Sequence, residues 1–352
     1  MHWRVGLLLA LTSVLASLLA IEAVGRFVVR EPLGLFRPSE LLGYEMVPDY
    51  RGRHHKHFDF DVEIRTDARG LRVADGGPET PGRIALFLGD SVTFGWGVEA
   101  GETWEAQLSA ARGVTDLSTV NAGVWGYNTI QELAFLRAGA AGYRPSAVVV
   151  GLTSPVTPTR NWYCHELGVI TLEPLLPDAT GAFAPLHALL KRHSHVYSFL
   201  ERRMRFQGPS LPDWRPLLGL GAAAPAAVPA TEMPLEDSAA LTLDLLRALR
   251  EEAQRLGAGL SVVIFPSLDQ LTEEAARPQP APGPARVLRE HLVQQLRAAG
   301  IPCLDLTKPL AAYEDREKLY LPRDPVHLNR LGHARSAEAA RAFLAETYPG
   351  LF

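Results

Sequence analysis

Cysteine is nearly absent from this chain, which has only Cys164 and Cys303. Two thiols cannot build a Cys-rich zinc module or a disulfide-dense scaffold. The count leaves a single bridge in an oxidising compartment or, as the commoner case, two buried unpaired thiols. Basic charge is not in excess either. The 35 Lys and Arg face 39 Asp and Glu, for a formal net charge of -4. Without clustered cations to neutralise phosphates, nucleic acid is not expected as a partner. The histidines do not stand at metal-ligand spacing. His54 and His55, with His57, lie in an alternating stretch where neighbours face opposite sides, and they are expected at a solvated surface. His187, His193 and His195 fall on an apolar-periodic helix and are expected in core or surface positions. No metal and no other cofactor is expected. The G-x-S-x-G elbow of many serine hydrolases is missing as well.

Long hydrophobic runs are scarce, and the one present is at the amino terminus. Val5 to Ile21 carries no charge and is flanked by Trp3 and Arg4 on one side and by Glu22, Arg26 and Arg30 on the other. This lies at the short limit for crossing a bilayer, with Trp3 and the arginines as interfacial anchors. Small residues are poorly placed for signal cleavage around Ala20 and Ala23, so residues 1–30 are expected to be an uncleaved signal anchor or transmembrane helix, with a cleaved signal peptide and a buried amphipathic helix as the alternatives. The flanking positive charges nearly balance. A short N-terminal tail and a large C-terminal part therefore place the bulk of the chain outside the cytoplasm, periplasmic or at the cell surface. With 352 residues, 47% of them apolar, that bulk can bury a sizeable core as one large domain with appendages.

Residues 31–82 form a lead-in with its own character. Leu41 to Tyr50 and Phe58 to Ile64 alternate apolar and polar residues, the period of half-exposed strands, so a small β-rich collar is expected. Residues 83–352 then alternate apolar strands with amphipathic helices. Strands are expected at Ile84–Leu88, Leu117–Asn121, Ala147–Leu152, Leu260–Phe265 and Ile301–Asp305. Helices are expected at Trp104–Arg112, Thr129–Ala141, Leu235–Leu256, Ala285–Ala299 and Leu331–Thr347. This order predicts an α/β fold with a parallel sheet of about five strands covered on both faces, its ligand crevice at the carboxyl ends of the strands. A long insertion, around residues 155–234, separates the third and fourth strands. It contains an amphipathic helix at Leu186–Phe206 and a Pro-, Ala- and Gly-rich stretch at Gln207–Pro234, read as a mobile loop.

The first strand of that body runs into Gly89-Asp90-Ser91-Val92-Thr93-Phe94-Gly95, and far downstream stands Asp324-Pro325-Val326-His327. A serine hydroxyl becomes a nucleophile when a histidine takes its proton, and a carboxylate fixes that histidine's tautomer. Ser91, His327 and Asp324 supply the three parts, with the acid and base together in one turn. Between them lies Val120-Asn121-Ala122-Gly123-Val124-Trp125-Gly126-Tyr127-Asn128-Thr129.

These blocks resemble the SGNH/GDSL hydrolase family, whose first block reads G-D-S-x-(T/S)-x-G and whose last reads D-x-x-H. Lead-ins closing on a Gly-Leu-Arg such as Gly70-Leu71-Arg72 are similar to those of its membrane-anchored bacterial members. The resemblance implies a three-layer SGNH-type sandwich and an esterase working through an acyl-enzyme on Ser91. It implies oxyanion donors in the N–H groups of Ser91 and Gly126, with Gly123 as the alternative glycine. It departs at the third block, where Gly151-Leu152-Thr153-Ser154-Pro155 lacks the family's asparagine. Ser154, or Thr153, is the candidate replacement, with Asn161 more distant. Trp96, Trp125, Tyr127, Trp162 and Tyr163 are expected around the crevice, where rings can stack on sugars or line an acyl pocket, with core packing the equal alternative for each ring. The expected substrate is an acylated carbohydrate or lipid, acetyl being the leading acyl group. A polysaccharide O-acyltransferase using the same triad, and a membrane-tethered assembly protein with a vestigial triad, are the alternatives.

Overall fold

In the computed structural model, the described residues are 2–30, 34–39, 41–56, 59–74, 82–110, 117–153, 235–276 and 283–352, with short pieces at 163–164, 169–170, 186, 189–190, 193–194 and 196–197. Helix α1 (His2–Val28) is apolar over Trp3–Gly25, a stretch with mean hydropathy 2.3 that is not buried among the described residues. Twenty-three residues at ~1.5 Å each reach about 34 Å, enough for the hydrocarbon core of a bilayer. Strand β1 (Val29–Arg30) follows without an intervening residue.

The lead-in consists of two small antiparallel sheets. Strands β2 (Phe36–Ser39) and β3 (Gly43–Met46) pair with each other, while β4 (Arg51–Lys56) lies between β1 and β5 (Phe60–Arg65). Strand β4 breaks the expected pattern, because RGRHHK has no apolar alternation. Only His54 turns inward, where it is 4% exposed, which corrects the expectation that this histidine is a surface residue. His57 lies outside the described residues.

The body is built on a five-stranded parallel sheet. In chain order come β6 (Arg83–Gly89), helices α2 (Ser91–Phe94) and α3 (Trp104–Ala110), β7 (Leu117–Gly123), α4 (Thr129–Gly139) and β8 (Ala147–Thr153). Two short strands follow, β9 (Tyr163–Cys164) and β10 (Val169–Ile170), then α5 (Leu235–Arg255), β11 (Gly259–Phe265), α6 (Leu268–Ala275), α7 (Pro284–Ala298), β12 (Cys303–Asp305) and α8 (Thr307–Ala311). The chain closes with a β13 (Tyr320–Leu321) and β14 (Asp324–Leu328) pair and α9 (Arg330–Thr347). The sheet order is β12-β11-β8-β6-β7, every neighbouring pair parallel.

Alternation along the strands makes two cores, as a sheet covered on both faces requires. Leu86, Leu88, Val148, Val150, Val262 and Ile264 pack with leucines of α4, α5 and α7. Ala85, Phe87, Val149, Val263 and Phe265 face α3 and α9 on the other side. A third cluster joins the lead-in to the body, with Leu35, Tyr44, Met46 and Ile64 against Phe94, Val124 and Tyr127. The lead-in also bridges the sheet's edge, where Arg72 pairs with Asn121 of β7.

Cys303 is a free thiol. Most of the amphipathic helix expected at Leu186–Phe206, with His187 and His195, and the whole of Gln207–Pro234 lie outside the described residues.

Candidate active site

Ser91 sits where β6 stops. At Gly89 φ is 154°, and a Cβ there would lie 2.3 Å from Thr93 Oγ1 and 2.8 Å from the Gly151 carbonyl. Only glycine lets the strand turn this tightly. Asp90 then caps α2, its carboxylate accepting the Val92 N–H at 2.8 Å. Ser91 is thus the first residue of the helix, where backbone N–H groups and the helix dipole favour negative charge. Gly95, with φ 87°, closes the single turn. Burial pushes the Asp90 carboxyl up, opposed by Thr153, the Val92 N–H and His327.

His327 arrives on β14. The stretch expected to be a turn or loop is instead a strand, held to β13 and followed by Asn329, which caps α9 and donates from Nδ2 to the carbonyls of Lys318 and Tyr320. Asp324 Oδ1 accepts the N–H groups of Val326 at 3.0 Å and His327 at 3.1 Å. Its Oδ2 meets His327 Nδ1 at 2.7 Å, and His327 Nε2 meets Ser91 Oγ at 2.7 Å. A carboxylate at Nδ1 keeps the proton there, so Nε2 is free to accept from the serine hydroxyl. Burial raises the Asp324 carboxyl, but its hydrogen bond and charge attraction to His327 and the two N–H groups outweigh this and bring it down to about 2.

The second block folds as a turn in which Tyr127 N–H donates to the Val124 carbonyl, with Gly126 at φ 73° in the third position. That position of the turn calls for a positive φ. Gly123 has a different job. Its N–H donates to Asn121 Oδ1 at 2.9 Å, and a Cβ there would come within 2.4 Å of Phe94 N. Thr153 ends β8 with Oγ1 shut off from solvent and without a hydrogen bond of standard geometry, close enough to hold the Asp90 carboxyl down. Ser154, Asn161 and Trp162 lie outside the described residues.

Of the crevice aromatics, Trp96 stacks on the His327 ring and packs against Trp125. Tyr127 takes the core-packing alternative. It is 5% exposed and its hydroxyl donates to the Tyr44 carbonyl, which makes it a core residue joining the lead-in to the second block. Tyr163 lies in β9. Two residues have roles that the sequence does not show. Arg72 is buried and donates to the carbonyls of Phe94, Gly95 and Val98, and His54 packs on Trp96 and Trp125. Burial lowers Arg72 to about 10, so it stays a cation beside Glu105, which burial raises to about 7. His333 is drawn down to about 3 by burial, and its Nδ1 accepts the Trp104 N–H. Among the described residues no three His, Cys, Asp or Glu side chains form a group able to hold a metal ion.

A family model described as ALGX, "SGNH hydrolase-like domain, acetyltransferase AlgX", matches residues 229–351. No curated protein matches the chain. Among solved structures, TesA is similar at 15% identity over 75% of this chain and 99% of its own, with a TM-score of 0.40. A lipase/acylhydrolase from Enterococcus faecalis is similar at 14% identity over 75% of this chain and 94% of its own, with a TM-score of 0.39. An acetyl xylan esterase is similar at 14% identity over 74% of this chain and 98% of its own, with a TM-score of 0.40. The family match covers the C-terminal part of the α/β body, including Asp324 and His327, and over that part the chain is similar to SGNH hydrolase-like domains.

Proposed function

We propose that this protein is a membrane-anchored, extracytoplasmic acyl-transfer enzyme, a serine esterase that removes an acyl group from a carbohydrate or lipid. The observation that carries the reading is the pair of contacts, each 2.7 Å, from Ser91 Oγ to His327 Nε2 and from His327 Nδ1 to Asp324 Oδ2. His327 takes the hydroxyl proton as Ser91 attacks the ester carbonyl, and Asp324 stabilises the imidazolium. The oxyanion forms beside the N–H groups of Ser91 and Gly126. Gly123 is the poorer second donor, because its N–H is already engaged by Asn121. His327 returns the proton to the leaving alcohol, and water resolves the acyl-enzyme.

A second reading is favoured by the description of the matching family model, which names an acetyltransferase. In that case a sugar hydroxyl replaces water in the last step and the same triad serves. Among the described aromatics, Trp125 packs against Trp96 and His54 beside the triad and is the ring against which an acyl or sugar group would lie.

The test uses the full-length protein in detergent. Wild type should react with a fluorophosphonate and hydrolyse short-chain nitrophenyl esters, and Ser91→Ala should do neither. Adding a sugar acceptor separates the two readings, since a transferase makes acylated sugar at the expense of free acid. Equal labelling of Ser91→Ala and wild type would remove Ser91 from its role.

A further inference from the structure

We infer that Trp96 is a positioning residue for the acid–base histidine, held in place by the lead-in through His54 and Arg72. The inference rests on the triad reading above and adds to it a cause for the orientation of His327.

The two hydrogen bonds of His327 lie in the plane of its ring. They fix where the nitrogens point but resist a tilt out of that plane only weakly. The backbone carrying the ring is anchored by Leu328 and by Asp324 Oδ1, but β14 is paired to a two-residue strand and Val326 is 38% exposed, so nothing on the backbone itself covers the face of the imidazole. A flat partner on the face of the imidazole supplies the missing restraint. Trp96 is that partner, its ring centroid 5.4 Å from that of His327 and the planes 27° apart, an offset stack.

Trp96 follows the single turn of α2 and would swing freely without support. Instead it is walled in. Trp125 lies 4.2 Å away between centroids, His54 of β4 lies 4.6 Å away, nearly perpendicular, and Phe60 of β5 stands at 6.0 Å. The backbone on either side of Trp96 is clamped by one guanidinium. Arg72 Nη1 donates to the carbonyls of Phe94 at 2.7 Å and Gly95 at 2.6 Å, and Nη2 donates to that of Val98 at 2.6 Å. A planar fork with several donors suits three carbonyls at fixed spacing, which a lysine's point charge does not. Gly97 has no room for a side chain, because a Cβ would lie 2.6 Å from Leu321 Cδ1 and 2.9 Å from Phe60 Cδ1. The segment thus runs pressed between the lead-in and the β13–β14 pair that carries His327.

The test compares Trp96→Phe and Trp96→Leu with wild type and Ser91→Ala in the full-length protein. Phenylalanine keeps a flat face, while leucine fills space without one. Trp96→Leu should fold with a melting temperature near wild type yet lose at least about tenfold in both kcat and the rate of fluorophosphonate labelling, with KM within about twofold. Trp96→Phe should recover most of the loss. Trp96→Leu that labels and turns over like wild type would overturn the inference. A loss confined to KM would also overturn it, by making Trp96 a substrate contact. Should leucine prevent folding, His54→Leu removes the wall behind Trp96 and should give the same split, and wild-type kcat there would count against the inference. A wild type that no fluorophosphonate labels brings down the triad reading and this inference together, whereas a labelled wild type with an unaffected Trp96→Leu brings down this inference alone.

Discussion

Asp324 does two jobs with two oxygens. Oδ1 holds the local backbone through the N–H groups of Val326 and His327, and Oδ2 holds the imidazole. Asparagine can keep the first job through its carbonyl oxygen, but its amide must donate to Nδ1. That moves the ring proton to Nε2, which then cannot accept from Ser91. Asp324→Asn is therefore expected to lower kcat by about 10³ to 10⁴ while the fold survives at neutral pH, measured by turnover alongside thermal unfolding. The acid side of the stability curve changes too. A carboxyl held at about 2 in the folded state, below its ordinary value near 4, contributes stability that is present above pH 4 and disappears as pH falls toward 2. The asparagine variant should lack this part of the acid unfolding. Thr153 illustrates the limit of reading single residues. The block-three departure was visible in the sequence, but the direction of the Thr153 hydroxyl, toward Asp90, depends on how β6 and β8 are paired.

At the scale of elements, the strands of the body lay where apolar runs placed them, because a parallel sheet buried on both faces leaves little else for Val148 or Val263 to do. Ends moved by a residue or two, and the short helices α6, opened by a capping box of Ser267 and Gln270, and α8 were not foreseen. The lead-in was harder to read. Strand β4 has no apolar periodicity, and its one inward residue is a histidine whose neighbours, Trp96 and Trp125, come from remote segments. The same holds for Arg72. A charged residue reads as surface until three carbonyls and an aromatic face are found around it.

Helix α4 carries a further case. Glu132 is 3% exposed, and its Oε2 has no hydrogen-bond partner among the described residues. Burial first, and then the charge of Asp90, raise its carboxyl to about 8. A carboxyl that binds its proton more tightly when folded favours the native state at low pH. That advantage is lost as pH rises from about 4.5 toward 8. Over that window the wild type should lose stability at up to about 1.4 kcal/mol per pH unit from this group alone. Glu132→Gln keeps the shape without the charge, so its melting temperature should exceed that of wild type by a margin that grows from pH 5 to 9. A margin independent of pH would refute the burial account.

For the whole molecule, the question is on which side of the membrane the triad works. The apolar part of α1, Trp3–Gly25, is long enough to span, and the chain enters the lead-in directly through β1. Positive charge decides little, since Arg4 stands on one side and Arg26 and Arg30 on the other. Large domains translocate largely regardless of their charge, so charge does not prevent the body after α1 from lying outside. The expected topology has the N-terminus in the cytoplasm and everything after α1 outside. A phosphatase fused after Phe352 should be active and a green fluorescent protein fused there by the general secretory route dark. The fusion should stay with the membrane fraction at full length, since a cleaved signal would release a shorter, soluble body. Bright fluorescence with an inactive phosphatase would reverse the topology and move the substrate to the cytoplasmic face.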